Sequence, residues 1–438
     1  MICFASEQEL EDKSKQDILK EYGKLLKEKE RLEKELRKYK NAHTPSSQKK
    51  FEKVTVQGLK VGRKKGKKSG HKGRTNKQEK PNTIIPVTTD KNPATGNIHI
   101  EETGYVEQIT ITDFKILKVV TQYDCFEYRD LDTGETFIAR HPDMPPRGIY
   151  GKNVLALASF LRFKCRVPYE KIASLFATAF RIPMTAPTAM DIVSRTAEKV
   201  RPAYQKLKRG IRKERAVYAD ETSAKRNGLP GWLWGFFSLM IALVVFNKER
   251  GGDIVEKILG KEFKALIGCD GWQTYVSYSK KTGALLQRCW AHILREVEEK
   301  CKGDKSLEKA HEWLCDIFSK VKEAREYQSQ EMREQFYVEL VSELDSWIQV
   351  YKSHKKLRKL AQKIENGREF WFTCVLHLEI EPTNNRAERG LRSWRVLEKI
   401  IGTLRSDQGR ETTEILLSLF STWDLRKING YQKLVSLL

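Results

Sequence analysis

The chain has 438 residues, too many for one small core, so several domains are expected, at least one of them large enough to bury a proper interior. Its 81 Lys and Arg against 58 Asp and Glu leave a formal charge of +23, which attracts polyanions and favours nucleic acid over a membrane surface because no lipid-directed helix is evident. A charged N-terminus without an apolar segment makes a signal peptide unexpected, and eight cysteines (Cys3, Cys125, Cys165, Cys269, Cys289, Cys301, Cys315, Cys374) stand singly, as reduced thiols of a protein kept in the cytoplasm would.

Between Ile18 and Tyr39 the residues Ile18, Tyr22, Leu25, Leu32, Leu36 and Tyr39 follow a heptad seam with Lys29 at one seam position, predicting a coiled coil over 1–40 and a homo-oligomer. A lone amphipathic helix packed on its own chain is the alternative. Residues 41–82 read as a basic, flexible linker. Within it Arg63, Lys64, Lys65, Lys67, Lys68, Lys72 and Arg74 alternate with glycines and no apolar residue, so the strip can neutralise DNA phosphates without reading sequence. It is not a phosphate-binding P-loop, since only three residues separate Gly62 from Gly66.

The runs Gln108–Thr112, Ile116–Val120 and Thr136–Ala139, with a turn at Asp132-Thr-Gly134, predict a small antiparallel β module over 83–150. Over 151–210 helices are expected at Val154–Phe163, at Pro168–Phe176 and, after a link at Ile182-Pro-Met, from Pro187 to near Val193. The last two fit a helix-turn-helix, or a plain helical connector. The apolar stretch Trp232–Phe246 is shorter than the ~20 residues a membrane helix needs and is better explained by two buried strands joined near Ser238.

Three acids are placed where a carboxylate would be aimed. Asp220 closes the apolar run Ala216-Val-Tyr-Ala, Asp270 closes Ala265-Leu-Ile-Gly-Cys, and Glu388 falls in the first turns of a helix that Thr383 or Asn384 can cap. The expected order is three meandering strands, a helix and a fourth strand beside the first, as in a ribonuclease-H-like core spanning 211–400. A charged helical insertion occupies about 292–365, and 401–438 is a C-terminal helical segment. Two strand-end aspartates and a helical glutamate form an oxygen ligand set for two Mg²⁺ ions, with Mn²⁺ as a substitute, in phosphoryl transfer. Alternation along the strand turns the competitor Glu221 to the opposite face. Glu379 and Glu381 precede Pro382 in extended chain, a poorer platform. Arg392 shares the face of Glu388 and could meet a DNA phosphate or hold the carboxylate. His292 could carry a proton, touch a phosphate or pack in the core, and the last is the reading its residues favour.

Asp220-Glu-Thr, Arg250-Gly, Cys269-Asp-Gly-Trp-Gln-Thr-Tyr275, Cys289-Trp-Ala-His-Ile-Leu-Arg295, Asn384-Asn-Arg-Ala-Glu-Arg-Gly-Leu-Arg392 and Gly402-Thr-Leu-Arg-Ser-Asp-Gln-Gly409 together resemble the successive motifs of the DDE transposases of the insertion sequence 66 family. The resemblance runs from about Asn41 to the C-terminus. It implies a multidomain α+β protein with coiled coil, β module, helix-turn-helix and ribonuclease-H-like catalytic core. It also implies cleavage at an element's 3′ ends followed by strand transfer, with Asp220, Asp270 and Glu388 as catalytic metal ligands and His292, Arg295, Asn384, Asn385, Arg389 and Arg392 as auxiliary residues. Terminal inverted repeats and target DNA would be the partners, along with accessory proteins of the element. The family's zinc module is not matched, because Cys125 stands alone where paired cysteines are expected, and zinc loses its support there. A stand-alone ribonuclease-H-like nuclease, or a DNA-binding protein derived from a transposase, are the alternatives, and the intact acids argue against the second.

Overall fold

A computed structural model describes Glu28 and residues 80–101, 109–144, 148–251 and 253–438. The coiled-coil seam and the basic strip lie outside the described residues, apart from Glu28, which is helical and exposed. The chain divides into two compact units, 1–117 and 118–438, a boundary that falls inside the expected β module. In the first unit the described chain forms no helix beyond Glu28 and no strand, and is mostly exposed, with a turn closed by Asn92, whose N–H donates to the Asn97 carbonyl at 2.8 Å.

The second unit begins with an exposed hairpin, β1 (Glu127–Arg129) and β2 (Thr136–Ile138), paired antiparallel across the predicted Asp132-Thr-Gly134 turn. Residues 109–112 and 116–120 form no strand, contrary to expectation. Their β-branched side chains, such as Ile111 and Val119, stay exposed. Alternation offers an apolar face, but a strand also needs a neighbouring ladder and a layer packed on that face.

Three helices follow: α1 (Lys152–Phe163), α2 (Tyr169–Thr178) and α3 (Ala186–Ile211). Thr185 caps α3, accepting from the Thr188 N–H at 3.3 Å. The third helix does not end near Val193 but continues 18 residues further. Its buried stripe Ile192, Val193, Thr196, Val200, Tyr204, Leu207 and Ile211 keeps helical spacing past Pro202. Pro202 stands on the exposed side, so tertiary burial outweighs the backbone hydrogen bond it removes. The helix pair predicted as a helix-turn-helix exists, with a seven-residue link over 179–185 in place of a short turn, and α3 is largely committed to the core.

The central sheet contains β3 (Ala216–Arg226), β4 (Leu229–Phe237), β5 (Ala242–Asn247), β6 (Leu266–Cys269) and β7 (Leu285–Arg288) in the order β5-β4-β3-β6-β7. The first three meander antiparallel, and β6 and β7 run parallel to β3. This is the expected strand order, and the β4–β5 turn falls at Ser238, whose Oγ accepts from the Met240 and Ile241 N–H groups. Helices α4 (Asp253–Leu259) and α5 (Gln273–Thr282) connect β5 to β6 and β6 to β7.

Beyond β7 come α6 (Trp290–Cys301), α7 (Lys305–Ala324), α8 (Gln330–Tyr351), α9 (Arg358–Glu365) and the short α10 (Thr373–Leu376), the helical insertion read from sequence. Arg325 ties it to the chain that returns to the sheet, donating to the carbonyls of Cys374, Ile380 (2.7 Å) and Leu378 (3.1 Å). Then follow α11 (Asn385–Ile401), α12 (Asp407–Leu425) and α13 (Gly430–Leu437).

The 401–438 segment, set apart in the sequence reading, belongs to the core. Strand β5 is a sheet edge, and its outward N–H groups are met by a polar stripe of α12. Ala242 donates to Thr422 Oγ1 at 3.0 Å, Val244 to Ser418 Oγ at 3.0 Å and Phe246 to Glu414 Oε1 at 2.9 Å. Four-residue spacing puts these three buried acceptors on one helix face, where they close an edge that would otherwise pair with another chain. Among the described residues no helix is long and apolar enough to cross a membrane.

Candidate active site

Strands β3 and β6 are in parallel register at Tyr218↔Gly268, so two residues further along each strand Asp220 and Asp270 come side by side. Asp270 follows the last residue of β6. Gly271, at φ 92°, lets the chain turn at once, and the Trp272 N–H folds back onto Asp270 Oδ1 at 2.9 Å. Asp220 is not at a strand end, as its place after an apolar run suggested. Strand β3 continues to Arg226 as a hairpin with β4, and Asp220 marks where the pairing with β6 has stopped.

Glu388 reaches the same place from α11. This helix packs on β3 and β4 through glycines: a Cβ on Gly235 would lie 2.3 Å from the Phe237 ring, and one on Gly390 2.2 Å from it. Gly235 pairs with Asp220 across β3 and β4, so Asp220 faces α11. Asn384 is the cap residue of α11 by position, but its side chain does not cap. Its Nδ2 donates to the Ala219 carbonyl at 2.8 Å, fastening the helix start to the residue before Asp220. Its backbone N–H donates to Cys289 Sγ at 3.1 Å, and the Trp290 N–H donates to the Pro382 carbonyl at 3.1 Å. The starts of α6 and α11 are therefore bonded together. From α6, Arg295 donates to Glu388 Oε1 at 3.0 Å and His292 Nε2 stands 3.6 Å from the same oxygen.

Asp220's carboxyl is pushed up from its ordinary 3.8 to about 8, first by burial and then by the negative charges of Glu221, Asp270 and Glu388. Burial is the larger cause, and the neighbouring carboxylates add to it. Glu221 is buried on the opposite face, as alternation required. It accepts from Arg250 at 2.8 Å and from the Tyr275 hydroxyl at 2.9 Å, and Arg250 is sandwiched over Trp232 and Trp272, 4.7 and 3.9 Å from their ring centroids. Glu221 is thus a supporting group, although burial and the charge of Asp270 raise its carboxyl too. Glu381 is engaged by Arg386 at 2.7 Å, and Glu379 is exposed.

A raised carboxyl carries a stability cost with a definite sign. In chelator, Asp220 holds its proton in the folded chain at pH values where the unfolded chain has lost it, so this group's contribution falls as pH rises from about 4 to about 8. We expect Asp220→Asn to be more stable than the natural chain at pH about 8 without metal, by on the order of a few kcal/mol, and so to melt higher, and the gap to close toward pH about 4. Thermal melts in chelator check this. Parallel pH profiles for the two proteins would contradict it.

His292 is half-buried beside Glu388, not the packed core histidine its residues favoured. The cation that holds Glu388 is Arg295, across from another helix, whereas Arg389 and Arg392 are exposed along α11 and Asn385 opens that helix. The roles of Arg250 and Tyr275 beneath Glu221 do not follow from the sequence motifs that contain them. Their role under Glu221 has a signal in hindsight, an arginine among tryptophans near a buried acid, but the partner is 29 residues away in sequence.

Among the described residues the one group of three His, Cys, Asp or Glu donors with ligand atoms all within 4.8 Å of one another is Cys289, His292 and Glu388. Asp220, Asp270 and Glu388 are all oxygen donors, the chemistry Mg²⁺ and Mn²⁺ take, but their ligand atoms do not all lie within 4.8 Å of one another while Glu388 is held by Arg295.

The family model described as Transposase IS66 family matches residues 147–412, a span that contains the whole sheet and all three acids. No curated protein matches the chain.

Proposed function

We propose that this chain, which belongs to the IS66 transposase family, cleaves DNA at the 3′ ends of its element and joins the freed 3′-hydroxyls to target DNA, using Asp220, Asp270 and Glu388. The observation that carries the reading is geometric: β3 and β6 in parallel register bring Asp220 and Asp270 side by side, and α11, packed on β3 and β4, carries Glu388 on the face that Asp220 looks toward. The sheet order β5-β4-β3-β6-β7 supports a ribonuclease-H-like core.

Divalent ions held by these carboxylates would supply Lewis-acid stabilisation of the charge that builds on the exchanging oxygens. The chain's own part is positioning. Asp220 and Asp270 are fixed by adjacent strands, and Asn384 locks the start of α11 to β3, which sets the height of Glu388 over the sheet. Arg295 balances Glu388 until the carboxylate is needed elsewhere. Arg389 and Arg392, exposed beside the site, suit the phosphates that flank the cut. Cleavage and joining are both in-line displacements at phosphorus and need no covalent link to protein.

A duplex carrying an element end, incubated with the full chain and Mg²⁺, should yield a 3′-hydroxyl nick and then joined products, and neither in chelator. Cleavage without joining would favour a ribonuclease-H-like nuclease, and cleavage in chelator would end the proposal.

The basic strip and the heptads contribute to the proposal as sequence alone. Neutralising Arg63, Lys64, Lys65, Lys67, Lys68, Lys72 and Arg74 should weaken binding to all DNA alike and flatten its salt dependence, since each lost phosphate contact removes about one released counterion from the slope. Loss of discrimination with an unchanged slope would mean that the strip reads bases. Self-association through 1–40 and accessory proteins of the element complete the proposed assembly.

A further inference from the structure

Helix α6 brings Cys289, His292 and Arg295 to Glu388 at successive three-residue steps. A sulfur, an imidazole nitrogen and a carboxylate oxygen from the first two and Glu388 all lie within 4.8 Å of one another, close enough for one ion to touch all three. We propose that Cys289, His292 and Glu388 form a binding site for a thiophilic divalent ion of the zinc class, adjoining the three-carboxylate cluster and sharing Glu388 with it.

The donor set discriminates by chemistry. Mg²⁺ takes oxygen ligands and keeps much of its water, whereas a thiolate with an imidazole and one carboxylate suits Zn²⁺, Co²⁺ or Cd²⁺ and leaves a fourth position open. The surroundings already hold the ligands in place. The Asn384 N–H points at the Cys289 sulfur at 3.1 Å, an orienting contact of the kind that supports a metal-bound thiolate. His292 Nδ1 is buried and makes no hydrogen bond, so that side of the ring is not committed to the protein. Cys289 is buried while His292 and Glu388 are half-exposed, so the ion would enter from their side, the thiol proton leaving to solvent.

One carboxylate cannot serve two ions with different partners equally well. An ion seated on Cys289 and His292 would draw Glu388 from Asp220 and Asp270, so zinc would act against magnesium at this site. That consequence rests on the proposed function, but the site itself does not.

The test is optical. Co²⁺ added to the metal-free full chain should give a thiolate-to-cobalt charge-transfer band that Zn²⁺ displaces. Cys289→Ser should abolish the band and Cys315→Ser, beside His311, should leave it, while His292→Ala should weaken Co²⁺ binding about tenfold or more. Absence of the band in the folded natural chain, or its survival in folded Cys289→Ser, would overturn the site. If Cys289→Ser does not fold, unchanged Co²⁺ affinity in His292→Ala overturns it instead. Asp270→Asn should keep the band: if that variant still cleaved DNA, the carboxylate reading would fail while the thiophilic site stood.

Discussion

Asp270→Asn is expected to abolish both DNA cleavage and strand joining while leaving binding to element ends nearly unchanged. The substitution keeps the shape of the side chain, and its amide oxygen can still accept from the Trp272 N–H, so the turn after β6 should survive. It removes one negative charge beside Asp220 and with it an ion ligand. Charge stabilisation of this kind is worth several kcal/mol at the transition state, so a loss of about a thousandfold or more is expected. Phosphate contacts elsewhere on a chain of charge +23 do not depend on this residue. Gel-resolved cleavage and joining, run beside filter binding of the same DNA, check it. Natural rates in Mg²⁺ would end the assignment of Asp270.

Gly390→Ala is expected to damage the site through packing alone. The added Cβ would stand 2.2–2.6 Å from three atoms of the Phe237 ring, closer than side-chain carbons approach, and Phe237 is itself 2 % exposed with little room to yield. Overpacking of a core commonly costs about 1–3 kcal/mol, against about 1 kcal/mol gained from placing alanine in a helix. We therefore expect a net loss of up to about 2 kcal/mol. The larger effect is on activity. If α11 lifts from β4 to relieve the clash, Glu388, two residues away, moves with it, and a misplacement of about 1 Å can cost about a hundredfold in rate. Combining Gly390→Ala with Phe237→Leu should recover part of both losses, because the two sites share one contact. Denaturant unfolding and cleavage rates of the single and double variants decide it. Strict additivity would contradict the packing account.

Sequence pattern carried the sheet order well, because most of its strands contain a short apolar run, and a buried strand announces itself that way; the polar second half of β3, from Asp220 to Arg226, gave no such signal. Asp220 and Asp270 stand out in the sequence because each follows an apolar run, whereas Glu388 is singled out by its place in the first turns of a helix. The support of the site was not legible. Thr383 and Asn384 both offer themselves as a helix cap, since such residues before a helix usually cap it, yet tertiary proximity to Ala219 gives the Asn384 amide a better partner. The Arg295–Glu388 pair joins residues 93 apart, across the whole helical insertion, and no local periodicity encodes it. The polar stripe Glu414, Ser418 and Thr422 covers a sheet edge, a role that depends on a strand some 170 residues earlier and that no pattern within 401–438 encodes. The β runs before Val120 failed in the other direction, since propensity without a covering layer does not make a sheet.

The most direct measurement is anomalous scattering from crystals of the full chain soaked in Mn²⁺. Peaks bonded to Asp220 and Asp270, with Glu388 released from Arg295 to share an ion with them, are the predicted result. Mn²⁺ bound only elsewhere, with Glu388 still paired to Arg295 and no peak at the two aspartates, would contradict the assignment of these three acids.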